Sequence, residues 1–174
     1  TYFIIFLSFY SCLSQNDAVS LVEKNVPKSS NFLGWLDEYQ INKVKGNDWY
    51  KNIHSNYDLD TVCLSKSKFK ENINNLEIVL FIGLWCPDSK RFLPKFLKMT
   101  EYLNVNSSKI KIYATDRTKT QSPEIIKTYD ILFVPTAIIF KDNVEINRII
   151  EYTNKSIEND FYNIVMNNNY VPFH

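Results

Sequence analysis

From residue 77 onward the chain alternates between unbroken apolar runs and amphipathic stretches, which predicts strands and helices in turn. Ile78-Val79-Leu80-Phe81-Ile82-Gly83-Leu84 contains no polar side chain and predicts a central strand covered on both faces. Residues 89–103 set Phe92, Phe96, Met99 and Leu103 on one side of a helix. Residues 110–114 predict a second strand and residues 123–129 a short helix. Residues 137–140 and 146–150 predict a hairpin that turns at Asp142-Asn143 without the usual glycine. Ser156 caps a last helix over residues 157–166, with Glu158 and Asp160 in the first turn, where the helix dipole favours acids. The order β-α-β-α-β-β-α predicts an α/β domain. Strands separated by crossover helices are expected parallel, and the hairpin adds an antiparallel edge.

Upstream, residues 17–60 are polar with scattered aromatics. Phe32, Trp35, Leu36 and Tyr39 share one helical face, and Trp49, Tyr50 and Ile53 predict a second short helix. Asp60 is placed to cap a helix that begins near Thr61, with Val62, Leu64 and Phe69 as its apolar members. The run from Tyr2 to Tyr10 has the length of the apolar part of an export signal and is too short to span a bilayer. Ser11-Cys12-Leu13-Ser14 then offers small residues for cleavage, with lipid attachment at Cys12 or a buried first element as alternatives. The expected organisation is an export signal or lipoprotein-type leader over residues 1–16, a helical extension over 17–60, the α/β domain over 61–166 and a tail over 167–174. The leader implies an exported, periplasmic or membrane-anchored protein, with a cytoplasmic one as the alternative.

Composition narrows the chemistry. The 174 residues are 45% hydrophobic and 15% aromatic, ample for a packed core. A net charge of +1 argues against a nucleic-acid grip built on bulk electrostatics. Three cysteines are too few for a disulfide scaffold, and three glycines give no phosphate cradle. Two histidines leave little material for a metal site, so neither metal nor cofactor is expected.

The candidate chemistry lies at Trp85-Cys86-Pro87-Asp88-Ser89-Lys90-Arg91, where the apolar strand gives way to a helix. A cysteine at a helix N-terminus faces unpaired amides and the positive end of the dipole, which favour the thiolate. Lys90 and Arg91 add to that effect and Asp88 opposes it. This segment resembles the W-C-x-x-C active-site stretch of thioredoxins. Pro94 stands five residues beyond Ser89, where that superfamily keeps a helix proline, and Val134-Pro135-Thr136 resembles its hydrophobic-cis-Pro-Thr loop. The resemblance narrows to Bacteroidetes thioredoxin-family proteins with a W-C-x-D-S motif. It is carried by Trp85 to Arg91, Leu93-Pro94-Lys95-Phe96, Thr115-Asp116-Arg117, Val134 to Thr136 and Arg148-Ile149-Ile150-Glu151, and upstream by Trp35, Tyr39, Tyr57 and Asp60. It covers residues 30–166. It implies a thioredoxin fold, a central mixed β-sheet flanked by helices with a helical N-terminal extension, and a protein that acts in cell redox homeostasis. It also implies that Pro135, if cis, lies against Cys86 and leaves the Val134 backbone open to an extended peptide.

Two departures matter. Ser89 stands where thioredoxins keep the resolving cysteine, and Leu80 replaces their buried aspartate. With no resolving thiol, no base is needed for it, so the dithiol cycle is not expected within this motif. One reading makes Cys86 a monothiol nucleophile that forms mixed disulfides with protein or small-thiol disulfides. A second keeps the fold as a binding module that uses the cis-Pro groove. A third, an iron–sulfur cluster with glutathione as in monothiol glutaredoxins, fits poorly, because that family's C-G-F-S differs from Cys86-Pro87-Asp88-Ser89. The expected site comprises Cys86 and Ser89 as catalytic residues, and Trp85, Pro87, Val134, Pro135 and Thr136 against substrate. Asp88, Lys90, Pro94, Asp116 and Arg117 support them. Cys63 is expected to be a buried core cysteine rather than an internal resolving thiol. Asp116 and Arg117 are expected to pair and pin their loop, the alternative being that Arg117 binds a carboxylate. Arg148 and Glu151 read as strand-surface charges, and His54 and His174 as exposed and unpartnered.

Overall fold

A computed structural model describes residues 32–173. The expected leader, Cys12, the first part of the extension and His174 lie outside them.

The chain enters on a short strand β1 (Gly34–Trp35), followed by helices α1 (Glu38–Lys45) and α2 (Asp48–Asn56). Helices α3 (Thr61–Leu64) and α4 (Ser67–Asn72) lead to strand β2 (Leu76–Ile82) and the long helix α5 (Pro87–Tyr102). A 3-10 turn precedes β3 (Ile110–Ala114). Helix α6 (Pro123–Thr128), the hairpin β4 (Thr136–Lys141) and β5 (Val144–Ile150), and helix α7 (Ile157–Val165) complete the order. The sheet runs β1-β3-β2-β4-β5. This is a mixed sheet flanked by helices in the thioredoxin arrangement.

The helix expected around Phe32 to Tyr39 begins only at Glu38. Gly34 takes a positive φ of 88°, and Trp35 pairs antiparallel with Tyr113 as an edge strand. Asp37 then starts α1 with a reciprocal capping box to Gln40. Asp60 caps α3 through the Val62 amide, but Val62 is 78% exposed and takes no part in the core. The turn Asp142-Asn143 holds φ values of 52° and 64°, a left-handed pair that Asp and Asn tolerate in place of glycine.

Strand direction corrects the expectation of parallel crossovers. β2 pairs parallel with β3 but antiparallel with β4. The loop after α6 brings β4 in beside the ends of β2 and β3, with Thr136 opposite Phe81 and Ala114 opposite Ile82. The exits of β2 and β3 and the entry of β4 therefore meet at one edge.

The pleat of β2 divides the interior. Ile78, Leu80 and Ile82 face a large core shared with α5 and α7, where Phe96, Met99 and Phe161 are fully buried. Val79 and Phe81 face a smaller core with Cys86, Tyr113, Ile131, Val134 and Ile138. Truncating Phe96 to alanine would cost about 3–5 kcal/mol, the usual result of emptying a packed aromatic site. Leu80, where thioredoxins keep a buried acid, is 0% exposed among aliphatic neighbours. Among the described residues no helix is long and apolar enough to cross a membrane.

Candidate active site

The site is built where β2 stops. The Cys86 amide donates to the Gly83 carbonyl at 2.8 Å, closing a turn that sets Cys86 at the N-cap of α5. Pro87 follows in the first turn, where a missing N–H leaves nothing unpaired. Pro94 lies buried inside α5 and removes one rung of the helix ladder, the bond its amide would make to the Lys90 carbonyl.

Cys86 is 7% exposed and its thiol donates to the Val134 carbonyl at 3.6 Å. The Val134–Pro135 peptide bond is cis. Val134, expected to offer its backbone to a peptide, thus has its carbonyl engaged by the thiol. The Thr136 hydroxyl donates to the Phe133 carbonyl at 2.8 Å, and the Glu151 amide donates to the Pro135 carbonyl at 2.8 Å. The loop is fastened on both sides of Pro135.

Ser89 is 2% exposed, and its hydroxyl accepts the Gly83 amide proton at 3.0 Å. The serine at the resolving position thus bonds the strand end rather than standing spare. Gly83 also lies beneath the Trp85 indole; a Cβ added there would come within 2.7 Å of indole Cε2. The indole Nε1 donates to the Thr115 carbonyl at 2.8 Å, and the Arg117 guanidinium sits 4.6 Å from the ring centre.

The charged neighbours differ from expectation. Asp88 is taken up by Arg91 in a close ion pair one turn along α5. Lys90 lies 5.7 Å from the Trp49 ring centre, turned toward α2 rather than the sulfur. Both cations are thus engaged with partners other than the sulfur. Asp116 does not pair with Arg117. Its carboxylate accepts the Thr118 hydroxyl at 2.8 Å and the Thr120 amide at 3.2 Å, and the Thr118 bond leads in holding its carboxyl below the usual range. Loop pinning falls to Asp116 alone, while Arg117 covers Trp85.

Cys63 lies across the sheet in the larger core, donating to the Glu158 carbonyl at 3.6 Å. Burial pushes its thiol pKa up, and both described cysteines are free thiols. Cys63 and Cys86 belong to separate cores divided by β2.

Two residues acquire roles the sequence reading missed. Gly83 touches Cys86, Ser89 and Trp85 at once; the signal was one glycine near the end of an unbroken apolar run in a chain with few glycines. Arg148 is a clamp. Its guanidinium forks onto Glu145 at 2.7 Å twice and donates to the carbonyls of Tyr129 and Asp130 at 2.9 and 3.2 Å. It thereby holds the loop that carries Pro135. His54, expected to be unpartnered, donates to Glu101 at 2.9 Å and stacks on Tyr50.

A helix-capping cysteine beside a cis proline, on a mixed sheet with this strand order, defines a protein of the thioredoxin class. The family model for thioredoxin matches residues 60–163, more than half of the chain, and the chain belongs to the thioredoxin family. Among solved structures it is similar to mitochondrial thioredoxin 3 of Saccharomyces cerevisiae, with 24% identity over 48% of this chain and 76% of that one, at a TM-score of 0.33. It is similar also to the thioredoxin of Fasciola hepatica, with 19% identity over 57% and 86% and a TM-score of 0.38. The thioredoxin of Plasmodium falciparum gives 18% over 59% and 92%, again at 0.38. No curated protein matches the chain.

Proposed function

We propose that the protein carries out thiol–disulfide exchange with Cys86 as a monothiol nucleophile. The carrying observation is the Cys86 thiol at the start of α5, bonded to the carbonyl that precedes cis Pro135, with Ser89 at the resolving position. The Cys86 thiolate attacks one sulfur of a substrate disulfide, forming a mixed disulfide and releasing the other sulfur as a thiolate. A second thiol must then free Cys86, because Ser89 has no sulfur and Cys63 lies in the opposite core. Residues 1–16 support export, and cell fractionation of the full chain tests that part.

The sulfur's cover favours one second reading. At 7% exposure Cys86 reacts only with what seats in the groove, and a protein that binds segments there without exchange would show the same geometry. Reaction of the native chain with an aromatic disulfide, followed by mass spectrometry, separates the two. Exchange predicts one adduct, at Cys86 and abolished in Cys86→Ala. A native chain that stays unmodified would leave the binding module standing.

A further inference from the structure

Beyond α7 the chain turns back on itself. Asn167 and Asn169 take left-handed φ values of 54° and 52°, which asparagine tolerates, and the tail then lies against β5 and the loop after it. The side-chain amide of Asn147 in β5 donates to the Tyr170 carbonyl at 2.9 Å, and that of Asn154 donates to the Val171 carbonyl at 2.9 Å. The Phe173 ring meets the Tyr152 ring edge-on, with centres 6.3 Å apart. Asp160 of α7 is buried and joins loop to tail. Its carboxylate accepts the backbone amides of Asn154 at 2.7 Å and Lys155 at 3.4 Å, and the Tyr170 hydroxyl at 3.1 Å.

The loop held in this way begins with Glu151, whose amide donates to the Pro135 carbonyl at 2.8 Å. Glu151 has a φ of 50°, a left-handed conformation that is costly for glutamate and persists only where the surroundings fix it. On the other side of Pro135, the Val134 carbonyl takes the Cys86 thiol. We infer that the tail, residues 167–173, is a strap that sets how far the groove at Cys86 opens. With the strap seated, the loop after β5 keeps Glu151 left-handed, Glu151 holds the proline loop, and the sulfur stays covered. With the strap released, Glu151 relaxes, the Pro135 carbonyl loses its bond and the proline loop moves off the sulfur. Tyr170 packs on the larger core, but Val171 and Phe173 are largely exposed, so release costs less than unfolding the domain. The strap serves either reading of the site, exchange or binding.

The test alkylates the native full chain with iodoacetamide, read at Cys86 by mass spectrometry, and follows hydrogen exchange at the Glu151 amide by NMR. Tyr170→Phe removes the hydroxyl bond and keeps the ring. It should speed both about fivefold, the worth of one neutral hydrogen bond expressed as an opening equilibrium. Phe173→Ala changes a ring open to solvent, so the fold survives it, and should speed both about twofold. Asp37→Ala breaks the capping box of α1, which involves neither tail nor loop, and lowers overall stability by a similar amount. It should leave both rates unchanged. Equal acceleration in Asp37→Ala would mean general loosening and overturns the strap. So would native rates in both tail variants, or faster Glu151 exchange with unchanged alkylation. Alkylation needs no disulfide, so failure of the aromatic disulfide to modify the native chain counts against the monothiol reading and leaves the strap standing.

Discussion

The hydroxyl of Ser89 accepts the amide proton of Gly83 at 3.0 Å in a part of the molecule closed to water. That bond ties the residue just past β2 to the first turn of α5, so the serine has a structural duty where thioredoxins place a reactive sulfur. Ser89→Ala strands a buried N–H and should cost about 1–3 kcal/mol in urea unfolding. Ser89→Cys keeps a weak acceptor and should lose less. It should also form a disulfide with Cys86 on oxidation, read by thiol counting, and reduce insulin faster than the native chain. A Ser89→Cys chain that keeps both thiols under oxidant would show that the two positions cannot be bridged.

Gly83 and Trp85 make a second dependent pair. A methyl group at residue 83 would meet indole Cε2 at 2.7 Å and Nε1 at 2.9 Å, and the backbone beneath is fixed by bonds to Cys86 and Ser89. The ring must therefore move, giving up its bond to the Thr115 carbonyl. Gly83→Ala should cost about 1–3 kcal/mol and speed hydrogen exchange at the Trp85 indole N–H, followed by NMR. An indole with unchanged protection would contradict this packing.

Much of this arrangement can be read in the sequence, and the misses have identifiable causes. The continuous run from Ile78 to Leu84 predicts a doubly covered strand because it lacks any polar side chain, and β2 is buried on both faces. Ser156 is legible as a cap because its hydroxyl serves a local amide, that of Asn159. Trp35 is misleading: its helical spacing to Leu36 and Tyr39 is overridden by pairing with Tyr113, a partner far along the chain. The direction of β4 is hidden for a similar reason, since it depends on where the Pro135 loop re-enters the sheet. At the site, the Cys86 thiol meets the Val134 carbonyl that precedes cis Pro135. The pairings of Asp88, Lys90, Asp116 and Arg117 escape the sequence, because charged side chains near the surface choose among several partners of similar energy.

Arg148 tests whether the proline loop needs its clamp. The side chain is 18% exposed and makes its fork and both carbonyl bonds from one planar group. Lysine supplies the charge but not the fork. Arg148→Ala should lower stability by about 1–3 kcal/mol through unpaired carbonyls and should alter the rate at which an aromatic disulfide modifies Cys86. Arg148→Lys should recover part of the stability and less of the rate. Equal behaviour of the two variants in the rate measurement would show that charge alone, not the planar grip on Tyr129 and Asp130, positions the loop.

Glu101, near the end of α5, gathers the N-terminal helices: Lys45 of α1 donates to it at 2.8 Å and His54 of α2 at 2.9 Å. Burial pushes its carboxyl up, but the hydrogen bonds from Lys45 and His54, with their charge, outweigh that and hold it below the usual 4.5. A carboxyl depressed on folding adds stability that is complete above its unfolded value and is lost as pH falls through the folded one. The window therefore lies below pH 4.5. The Glu101 side chain is 48% exposed, so solvent screening keeps the effect under about 1 kcal/mol. Urea midpoints of the native chain and Glu101→Gln should differ at pH 7 and converge as the solution is acidified below the glutamate range. Added salt should shrink the difference at pH 7. A difference that persists unchanged into strong acid would mean that the glutamate acts by packing, and that α1 and α2 are held to α5 by their apolar faces alone.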